Sequence, residues 1–461
     1  MPELPEVENV ARILAPLIQG RQILSCALFR AKNVLNQADE FLKAIQGKTF
    51  KSVSRRGKYL IFSFEDGGYL LSHLRMEGRY IVEKEGLPFR KHDILSYSLS
   101  GGVRLVYNDT RKFGRIVYLG NEGELEKALS RLGKEPFALS NEEFFSLLQG
   151  CRKPIKEAIM DQSLIAGVGN IYADESLFSS KIHPLTEARS LSKEEASSLL
   201  SSIQAILGEA IGRGGSTVRT YHPQEGVSGT MQDSLLAYGK KGQACPRCGA
   251  RFATITVNGR GTTYCPLCQR KKGRPFVLGI LGPIHCGKST AASFLVKRGF
   301  LLFDADKEAK ALYSLRSVQK KVASLFPGAL QEDGQVDFAF LREALSLDPS
   351  KKEALGRILF PLVKKRAASF IAKAPRDSKI ALDVPLLFKA EMGDLCEATL
   401  LILSSPSSQK ERLLKEGRDA ERLLSINADY PLEEAERKAS LTLHNDGPKE
   451  EFEAKLAKLL Q

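Results

Sequence analysis

The sequence predicts a multidomain protein that consists of an N-terminal β-sandwich, a helical domain, a four-cysteine hairpin and a C-terminal α/β domain with a parallel sheet. The chain has 461 residues, more than a single hydrophobic core usually organises. Its hydrophobic periodicity changes from strand-like to helical near residue 120, and strand and helix patterns alternate after residue 275. We therefore expect domains at residues 1–120, 121–240, 241–272 and 273–461.

The composition excludes two broad classes of protein. Hydrophobic residues make up 43% of the chain, which is enough for globular cores and excludes general disorder. No segment approaches the roughly 18 apolar residues that a membrane-spanning helix needs. Residues 1–6 are acidic and proline-rich, unlike a signal peptide. We expect a monomeric, cytoplasmic protein without a membrane partner.

Positive charge is concentrated in the first part of the chain. Residues 1–274 carry 39 Lys and Arg against 28 Asp and Glu, whereas residues 275–461 carry 29 against 26. Two interpretations of this basic surplus stay open: a polyanion such as nucleic acid is a partner, or the surface is simply basic and solvated.

Local patterns predict the elements of each domain. After a short amphipathic helix within residues 1–20, the chain is strand-like from Leu24 to about Leu119, with strands at Tyr59–Phe64, Tyr69–Ser72 and Val103–Tyr107. Helical periodicity follows at Glu142–Leu148, Asn170–Phe178 and Ser192–Ile211, and a glycine-rich stretch over residues 212–242 indicates a loop. Buried-strand patterns, typical of a parallel sheet with crossover helices, occur at Phe276–Leu281, Phe300–Phe303, Lys379–Asp383 and Ala398–Leu403.

Four cysteines form two C-x2-C pairs separated by sixteen residues: Cys245, Cys248, Cys265 and Cys268. In a cytoplasmic chain this spacing favours a metal site over disulfides. Each pair aims two thiolates at one ion, and two pairs on a hairpin complete the tetrahedral sulfur site that Zn²⁺ prefers. We expect one structural zinc ion per chain. Because no acidic residue lies between Ala244 and Lys272, the hairpin is also suited to phosphate contact.

Pro2 becomes the N-terminal residue if Met1 is removed, and the small second residue permits that removal. An N-terminal proline is a secondary amine whose pKa lies well below that of lysine, so it can attack a sugar carbon and form an iminium ion. The adjacent Glu3 can transfer protons. From these residues alone the simpler interpretation, a proline-rich start to the first helix, stays open.

Several further segments accompany the N-terminal PELPEVE and the four-cysteine hairpin: Ser54–Tyr59, His73–Gly78, Asn108–Gly114 and Asp161–Phe178. Together they resemble the formamidopyrimidine-DNA glycosylase family, whose members are glycosylases and abasic-site lyases, over about residues 1–272. The resemblance implies a helix-two-turn-helix motif in the helical domain and a zinc finger at the hairpin. It also implies a partner, double-stranded DNA that contains oxidised purines (formamidopyrimidine, 8-oxoguanine) or abasic sites.

The resemblance assigns roles to individual residues. Pro2 is expected to attack C1′ and displace the damaged base, with Glu3 and Lys58 at the catalytic site, before β- and δ-elimination. Because the base must leave the duplex, the hole has to be filled, and this task falls to Met76, Arg111 and Phe113. Further DNA contacts are expected from His92, Lys156, Asn170 and Arg260, while Glu6 and Glu175 orient the site and residues 212–229 hold the flipped base.

A phosphate-binding motif opens the last domain. Residues 282–289 match G-x4-G-K-[ST] and follow a buried-strand pattern directly, before a helical pattern at Thr290–Val296. Backbone N–H groups of such a loop cradle phosphates, the lysine reaches the β- and γ-oxygens, and the hydroxyl binds Mg²⁺. We expect ATP with Mg²⁺ to bind at Gly282, Gly287, Lys288, Ser289 and Thr290. Pro283 lacks the N–H that another residue would supply.

Residues 276–461 resemble the dephospho-CoA kinase family. The resemblance is carried by Leu302–Asp306, Asp383–Phe388 and Asn445–Gly447, and by two arginines in the position of a nucleotide lid, Arg412 and Arg418. It implies a P-loop kinase domain that takes dephospho-CoA as acceptor, with Asp306 as base or orienting residue. From the residues alone, Asp304 and Asp306 can equally be a simple strand-end pair.

Three alternatives to a two-enzyme fusion stay open. The P-loop domain can be a catalytically inactive, nucleotide-binding regulatory domain beside a glycosylase. The chain can be an ATP-driven DNA motor, although the small basic surplus after residue 275 does not favour it. It can also be a zinc-bearing DNA-binding protein without catalysis, which would form no covalent adduct with DNA.

Overall fold

The protein is described here by a computed structural model, which covers residues 1–216, 230–348, 350–415, 417, 424, 427 and 429–459. The chain divides into two compact units. The first contains Met1–Lys240 and Thr254–Tyr264, and the second contains Lys241–Ala253 and Cys265–Gln461. Within the described ranges, no helix combines the length and the apolar character that crossing a membrane requires.

The first unit begins with helix α1 (Leu4–Ile18) and two four-stranded antiparallel sheets. The strand orders are β1-β6-β7-β5 and β2-β3-β4-β8, and side chains from both sheets and from α1 share one hydrophobic core, as expected for a β-sandwich. The strands are β1 (Ile23–Leu28), β2 (Phe50–Arg56), β3 (Tyr59–Phe64), β4 (Tyr69–His73), β5 (Arg79–Lys84), β6 (Asp93–Leu99), β7 (Val103–Asn108) and β8 (Arg115–Leu119).

A helical layer with its own core follows the sandwich. Serine side chains cap α4 and α7 by accepting from the backbone of the first turn, and a glutamate three residues further on returns the bond. The helices are α3 (Glu122–Leu129), α4 (Asn141–Gln149), α5 (Ile155–Met160), α6 (Asn170–Ser179) and α7 (Lys193–Gly212). Strands β9 (Ala253–Val257) and β10 (Arg260–Tyr264) form the hairpin beyond them.

The second unit is built on a five-stranded parallel sheet with the strand order β12-β13-β11-β14-β15. Its strands are β11 (Phe276–Leu281), β12 (Phe300–Asp304), β13 (Lys379–Asp383), β14 (Ala398–Leu403) and β15 (Leu441–His444). The helices are α8 (Lys288–Lys297), α9 (Ala305–Leu312), α10 (Arg316–Leu325), α11 (Phe338–Leu347), α12 (Ser350–Lys373), α13 (Pro406–Lys415), α14 (Leu432–Lys438) and α15 (Lys449–Leu459). The alternation of strands and helices confirms the α/β prediction.

Two features depart from the sequence-based description. Helix α2 (Ala38–Ile45) interrupts the region expected to be strand-like. Its buried Phe41 and Ile45 are four residues apart, so they lie on one face of a helix. This helical pattern is short and lies within a long strand-rich region, so it gives little signal in the sequence. The sequence does not predict strand β15, because four residues at a sheet edge, three partly buried and one exposed, carry little periodic signal.

Phe62→Ala tests the sandwich core. Phe62 is fully buried on β3, with its ring 5.1 Å from that of Tyr80 and 5.9 Å from that of Phe50. Removing the ring leaves a cavity, so we expect the free energy of unfolding of the first unit to fall by about 3–5 kcal/mol. Urea unfolding followed by near-ultraviolet circular dichroism of the buried tyrosines measures this. The control Leu24→Ala, at a side chain 54% exposed, should change little, and equal effects of the two variants would contradict the packing.

Candidate active sites

A cavity of about 460 Å³ in the first unit collects most of the N-terminal residues that the sequence singled out. Its wall includes Glu3, Lys58, Met76, Asn170 and Arg260. Met1 also lines it, and burial lowers the pKa of the Met1 amino group. Residues from the N-terminus, from β4 and the β2–β3 and β4–β5 loops of the sandwich, from the start of α6 and from the β9–β10 hairpin therefore face one space.

Glu3 links the N-terminal segment to helix α6. Its Oε1 accepts a hydrogen bond of 2.9 Å from the N–H of Ile171, in the first turn, where the helix favours a negative charge. Its Oε2 is buried and has no hydrogen-bond partner among the described residues, so it can exchange a proton with a molecule in the cavity. The close approach requires glycine at position 169, because a Cβ there would overlap the Glu3 carboxyl group.

Glu6 holds the same segment from the other side. Its carboxyl group accepts hydrogen bonds from the N–H of Glu3 (2.8 Å), the N–H of Ser216 (2.8 Å) and the hydroxyl of Tyr172 (2.5 Å). Burial raises the pKa of Glu6, and the nearby Glu3 carboxylate adds to the shift, while the three donors oppose it. Glu6 is therefore a positioning residue that fixes the backbone beside Pro2.

Lys58 and His73 are both buried, and burial lowers the pKa of each. Lys58 is buried, and its Nζ donates to the carbonyl of Val168 over 2.8 Å. Burial lowers the Lys58 pKa, although the Glu3 carboxylate opposes this shift. Burial also lowers the His73 pKa to about 3, so this imidazole is neutral at physiological pH. Lys58 thus brings a buried hydrogen-bond donor to the cavity wall.

The three residues expected to fill the hole in DNA lie on two loops that touch each other. Met76 and Phe113 are exposed although they are apolar, and the Arg111 guanidinium lies 5.1 Å from the Phe113 ring centre. The hydroxyl of Thr110 donates to the carboxylate of Glu77, which joins the two loops. Side chains that a monomer would normally bury are therefore presented together to solvent.

Sequence reasoning missed the residues that shape these loops. The buried carboxylate of Asp109 accepts from the N–H groups of Arg111 (3.0 Å) and Gly114 (2.8 Å). The side chain of Asn33 donates to the carbonyls of Lys112 and Gly114 from 79 and 81 residues away. His92 lies next to this loop, since its carbonyl accepts from the N–H of Asp109 over 3.0 Å. Such distant partners leave no local pattern to find.

Lys156 is buried rather than exposed to a partner. Its Nζ lies 2.6 Å from Asp174 Oδ1 and donates to Thr262 Oγ1 over 2.7 Å, with both charged side chains at most 1% exposed. Asp174 also accepts from the N–H of Thr263 over 2.9 Å, and burial raises its pKa to about 6. The pair anchors the β9–β10 hairpin to α6, and a direct contact of Lys156 with DNA stays a prediction.

Two further predicted contact residues lie on or beside this hairpin. Asn170 donates to the carbonyl of Gly261 over 3.2 Å, and Arg260 is exposed at the cavity. Glu175, predicted to orient the site, accepts from the N–H groups of Leu236, Ala237 and Tyr238 at 2.7–2.9 Å. Tyr238, which also lines the cavity, is therefore held in place by Glu175.

The four cysteines fit a zinc ion. Their sulfur atoms lie within 4.8 Å of one another, with 3.9 Å between Cys245 and Cys268 and 3.4 Å between Cys248 and Cys265. A tetrahedral ion with Zn–S bonds of about 2.3 Å needs sulfur atoms about 3.8 Å apart. The expected ligand set is thus assembled, and it leaves no position open for catalysis by the metal.

In the second unit, the glycine-rich loop runs between β11 and α8. Gly282 and Gly287 adopt φ angles of +147° and +106°, which other residues rarely adopt, and a Cβ at either would overlap a neighbour. Lys288 Nζ donates to the carbonyls of Gly282 (2.9 Å) and Pro283 (2.5 Å). Ser289 and Thr290 form the first turn of α8, where N–H groups are free to bind phosphate.

Three carboxylates lie at the carboxyl ends of β12 and β13, near Lys288. Asp304 caps α9 by accepting a hydrogen bond of 2.9 Å from the N–H of Lys307. This structural role agrees with the interpretation of Asp304 as a strand-end residue. Burial raises the pKa of Asp306, and the Asp304 charge adds to the shift. Burial also raises the pKa of Asp383 to about 6, and Asp383 Oδ1 has no partner among the described residues. Sequence reasoning gave Asp383 no role, although ligands usually bind at this edge of a parallel sheet.

The structure describes only part of two regions to which the sequence assigns ligand-binding roles, the nucleotide lid and the loop after α7. Arg412 donates to the carbonyl of Asn445 over 2.6 Å, and the Asn445 side chain donates to the carbonyl of Cys286 in the glycine-rich loop over 2.9 Å. Arg418 lies outside the described residues, as do residues 217–229 of the loop expected to hold a flipped base.

Four family models match the chain. They are the formamidopyrimidine-DNA glycosylase N-terminal domain over residues 1–116, its H2TH domain over residues 132–222, the zinc finger found in FPG and IleRS over residues 242–270, and dephospho-CoA kinase over residues 276–451. The resemblances to both families are thereby confirmed, and so is the multidomain fold with a P-loop kinase domain.

Individual relatives cover the first three-fifths of the chain. Formamidopyrimidine-DNA glycosylase of Ligilactobacillus salivarius is 43% identical over 272 residues, which are 58% of this chain and 99% of the relative. The Bacillus cereus protein is 42% identical over 275 residues, with 58% and 99% coverage. A Lactococcus lactis FPG mutant bound to Fapy-dG-containing DNA is 42% identical, with a TM-score of 0.56 over 59% of this chain and 100% of that one. The chain therefore belongs to the formamidopyrimidine-DNA glycosylase family.

Proposed function

We propose that the first unit excises oxidised purines from double-stranded DNA and cleaves the strand, with Pro2 as the nucleophile. The observation that carries this proposal is the cavity, in which the N-terminus, a carboxylate with a free oxygen and the buried Lys58 meet. Similar solved structures hold Fapy-dG-containing DNA or abasic-site DNA bound to those proteins, which supports DNA of these kinds as the partner.

The chemistry begins when removal of Met1 exposes the Pro2 amine. The neutral amine attacks C1′, the glycosidic bond breaks, and its electron pair leaves with the base, which takes up a proton. The nitrogen then loses its proton and the sugar ring opens: the C1′–O4′ bond breaks, O4′ takes up a proton, and the nitrogen lone pair forms the C1′ iminium ion. The iminium ion acidifies the C2′ hydrogen, so loss of this proton expels the 3′ phosphate group, and loss of a C4′ proton then expels the 5′ one. The free Oε2 of Glu3 transfers protons during these steps.

The exposed loop residues hold the duplex open. Met76, Arg111 and Phe113 enter the space that the flipped nucleotide leaves, and they compensate in part for lost stacking and pairing. Lys58, Asn170 and Arg260 hold the kinked phosphate backbone. A zinc-bearing DNA-binding protein without catalysis would share these contacts but would form no covalent adduct.

Pro2→Gly tests the nucleophile. We expect borohydride trapping of the enzyme on 8-oxoguanine-containing duplex DNA to fall at least tenfold, because the secondary amine that forms the iminium ion is lost. The trapped adduct is measured by denaturing gel electrophoresis. Pro16→Ala, a second proline change within α1, serves as the control and should leave trapping unchanged. Full trapping by the Pro2 variant would reject Pro2 as the nucleophile.

We propose a second activity for the other unit, the ATP-dependent phosphorylation of the 3′-hydroxyl of dephospho-CoA. It is supported by the conjunction of the glycine-rich loop, Lys288 and the carboxylates at the sheet edge, together with the family-model match. Asp306 accepts the hydroxyl proton as the oxygen attacks the γ-phosphorus, and ADP leaves. Mg²⁺ would neutralise charge on the phosphates, with Ser289 and Asp383 as the residues that fit it best.

Lys288→Ala tests this activity. With ATP, Mg²⁺ and dephospho-CoA, we expect the wild type to form CoA, detected by mass spectrometry, and the variant to lose at least 100-fold in rate because the phosphates lose their main cation. Lys297→Ala, at the other end of α8, should retain activity. ATP binding by the wild type without CoA formation would instead favour a regulatory nucleotide-binding domain, and ATPase activity stimulated by DNA would favour a motor.

Asp383→Asn tests the buried carboxylate. Its pKa is raised in the folded state to about 6, so the folded protein binds this proton more tightly than the unfolded chain, and stability is lost as the pH rises from about 4 to about 6. At pH 7.5 the variant should therefore melt about 2–6 °C higher in the second unit, while Mg²⁺-dependent nucleotide binding weakens. The difference in melting temperature should shrink towards pH 4.5. A constant difference across this range would contradict a titrating Asp383.

A further inference from the structure

The zinc-binding cysteines lie in the same compact unit as the P-loop domain. They lie in two short segments, Lys241–Ala253 and Cys265–Lys272, which are called the knuckles below. The N–H of Arg251, in the first knuckle, donates to the carbonyl of Ser440 over 2.6 Å. Ser440 directly precedes β15, the edge strand of the parallel sheet, so a knuckle is hydrogen-bonded to the chain where that strand begins.

Side chains reinforce this backbone contact. The Arg251 guanidinium donates to the carbonyls of Glu436 (2.9 Å) and Arg437 (3.1 Å), in the last turn of α14, where carbonyls lack partners and a cation is favourable. Leu267 of the second knuckle is buried, and it lies in an apolar cluster with Leu441 of β15, Leu456 of α15 and Leu278 of β11. A Cβ added at Gly249 would lie 3.6 Å from the Leu441 side chain. Both knuckles therefore pack on β15.

Strand β15 leads directly to the nucleotide site. Its far end continues into Asn445, whose side chain donates to the carbonyl of Cys286 over 2.9 Å, within the glycine-rich loop. The Asn445 carbonyl also accepts from Arg412, an expected nucleotide ligand, and its N–H donates to Leu403 at the end of β14. A continuous set of contacts thus runs from the zinc ligands through Arg251 and β15 to the loop that would hold ATP.

We infer that the zinc site is a structural part of the P-loop domain and that zinc keeps β15, and through Asn445 the glycine-rich loop, in its binding conformation. Residues 254–264 separate the two knuckles along the chain, and a bound metal ion would crosslink their four cysteines directly. Without it, Arg251 and Leu267 would no longer be held against the sheet edge. The part of this inference that concerns ATP rests on the proposed nucleotide-binding function; the part that concerns β15 does not.

The experiment uses the full-length protein, with zinc removed by a zinc-selective chelator under reducing conditions and then restored. Hydrogen exchange measured by mass spectrometry reports on residues 441–446 and 282–290, and titration with a fluorescent ATP analogue reports on binding. We expect exchange at both segments to rise at least tenfold without zinc and to return with it, while residues 59–64 of β3 stay protected. Unchanged exchange at 441–446, with faster exchange in the knuckles, would overturn the inference.

Arg251→Ala removes the side-chain contact with α14 and leaves the four cysteine ligands in place. With zinc bound, this variant should exchange faster at 441–446 and bind the ATP analogue about threefold to tenfold more weakly, the range that corresponds to the net loss of one ordinary hydrogen bond. Lys241→Ala, which removes one exposed positive charge from the same knuckle, should match the wild type. If the zinc-loaded wild type binds no nucleotide, the proposed kinase function fails, and the exchange at 441–446 still decides the inference. Equal behaviour of both variants would overturn it.

Discussion

The candidate active site of the first unit depends on two buried carboxyl groups that hold residues 3–6 against helix α6. Glu3 accepts from the first turn of α6, and Glu6 accepts from the Glu3 N–H, Tyr172 and Ser216. These bonds determine where the second residue of the chain lies, although a chain terminus is usually poorly ordered. Lys58, Met76 and Arg260 line the same cavity, and they can act together with the N-terminal residues only because this terminus is fixed beside them.

Both proposed sites contain a buried carboxylate oxygen without a partner among the described residues, Glu3 Oε2 in the first unit and Asp383 Oδ1 in the second. A buried acceptor normally finds a donor, because leaving it unpaired costs free energy. The Nζ atoms of the adjacent Lys58 and Lys288 donate to backbone carbonyls instead. The two units have unrelated folds, yet each leaves its carboxylate oxygen unpaired beside a lysine, and that oxygen can accept a proton or a metal ion.

The sequence was informative where the chemistry depends on local spacing. The bounds of β3, β11, β13 and β14 match the predicted strands, and the four cysteines meet as their spacing implied. It was uninformative where one side chain supports another across the fold. Asn33 reaches residues 112 and 114, and Glu175 holds residues 236–238, so no window of sequence contains both partners. The buried state of Lys156 has the same origin, because Asp174 and Thr262 are 18 and 106 positions away.

The buried pair of Lys156 and Asp174 also constrains how relatives of this protein can diverge. Loss of either charge leaves the other uncompensated in the interior, which is strongly destabilising, whereas replacement of both by well-packed apolar residues can be tolerated. A lineage that changes one position must therefore change the other almost at once, or pass through a poorly folding intermediate. Since Thr262 and Thr263 bind the same pair, the two positions and this part of the hairpin should be inherited together as one block.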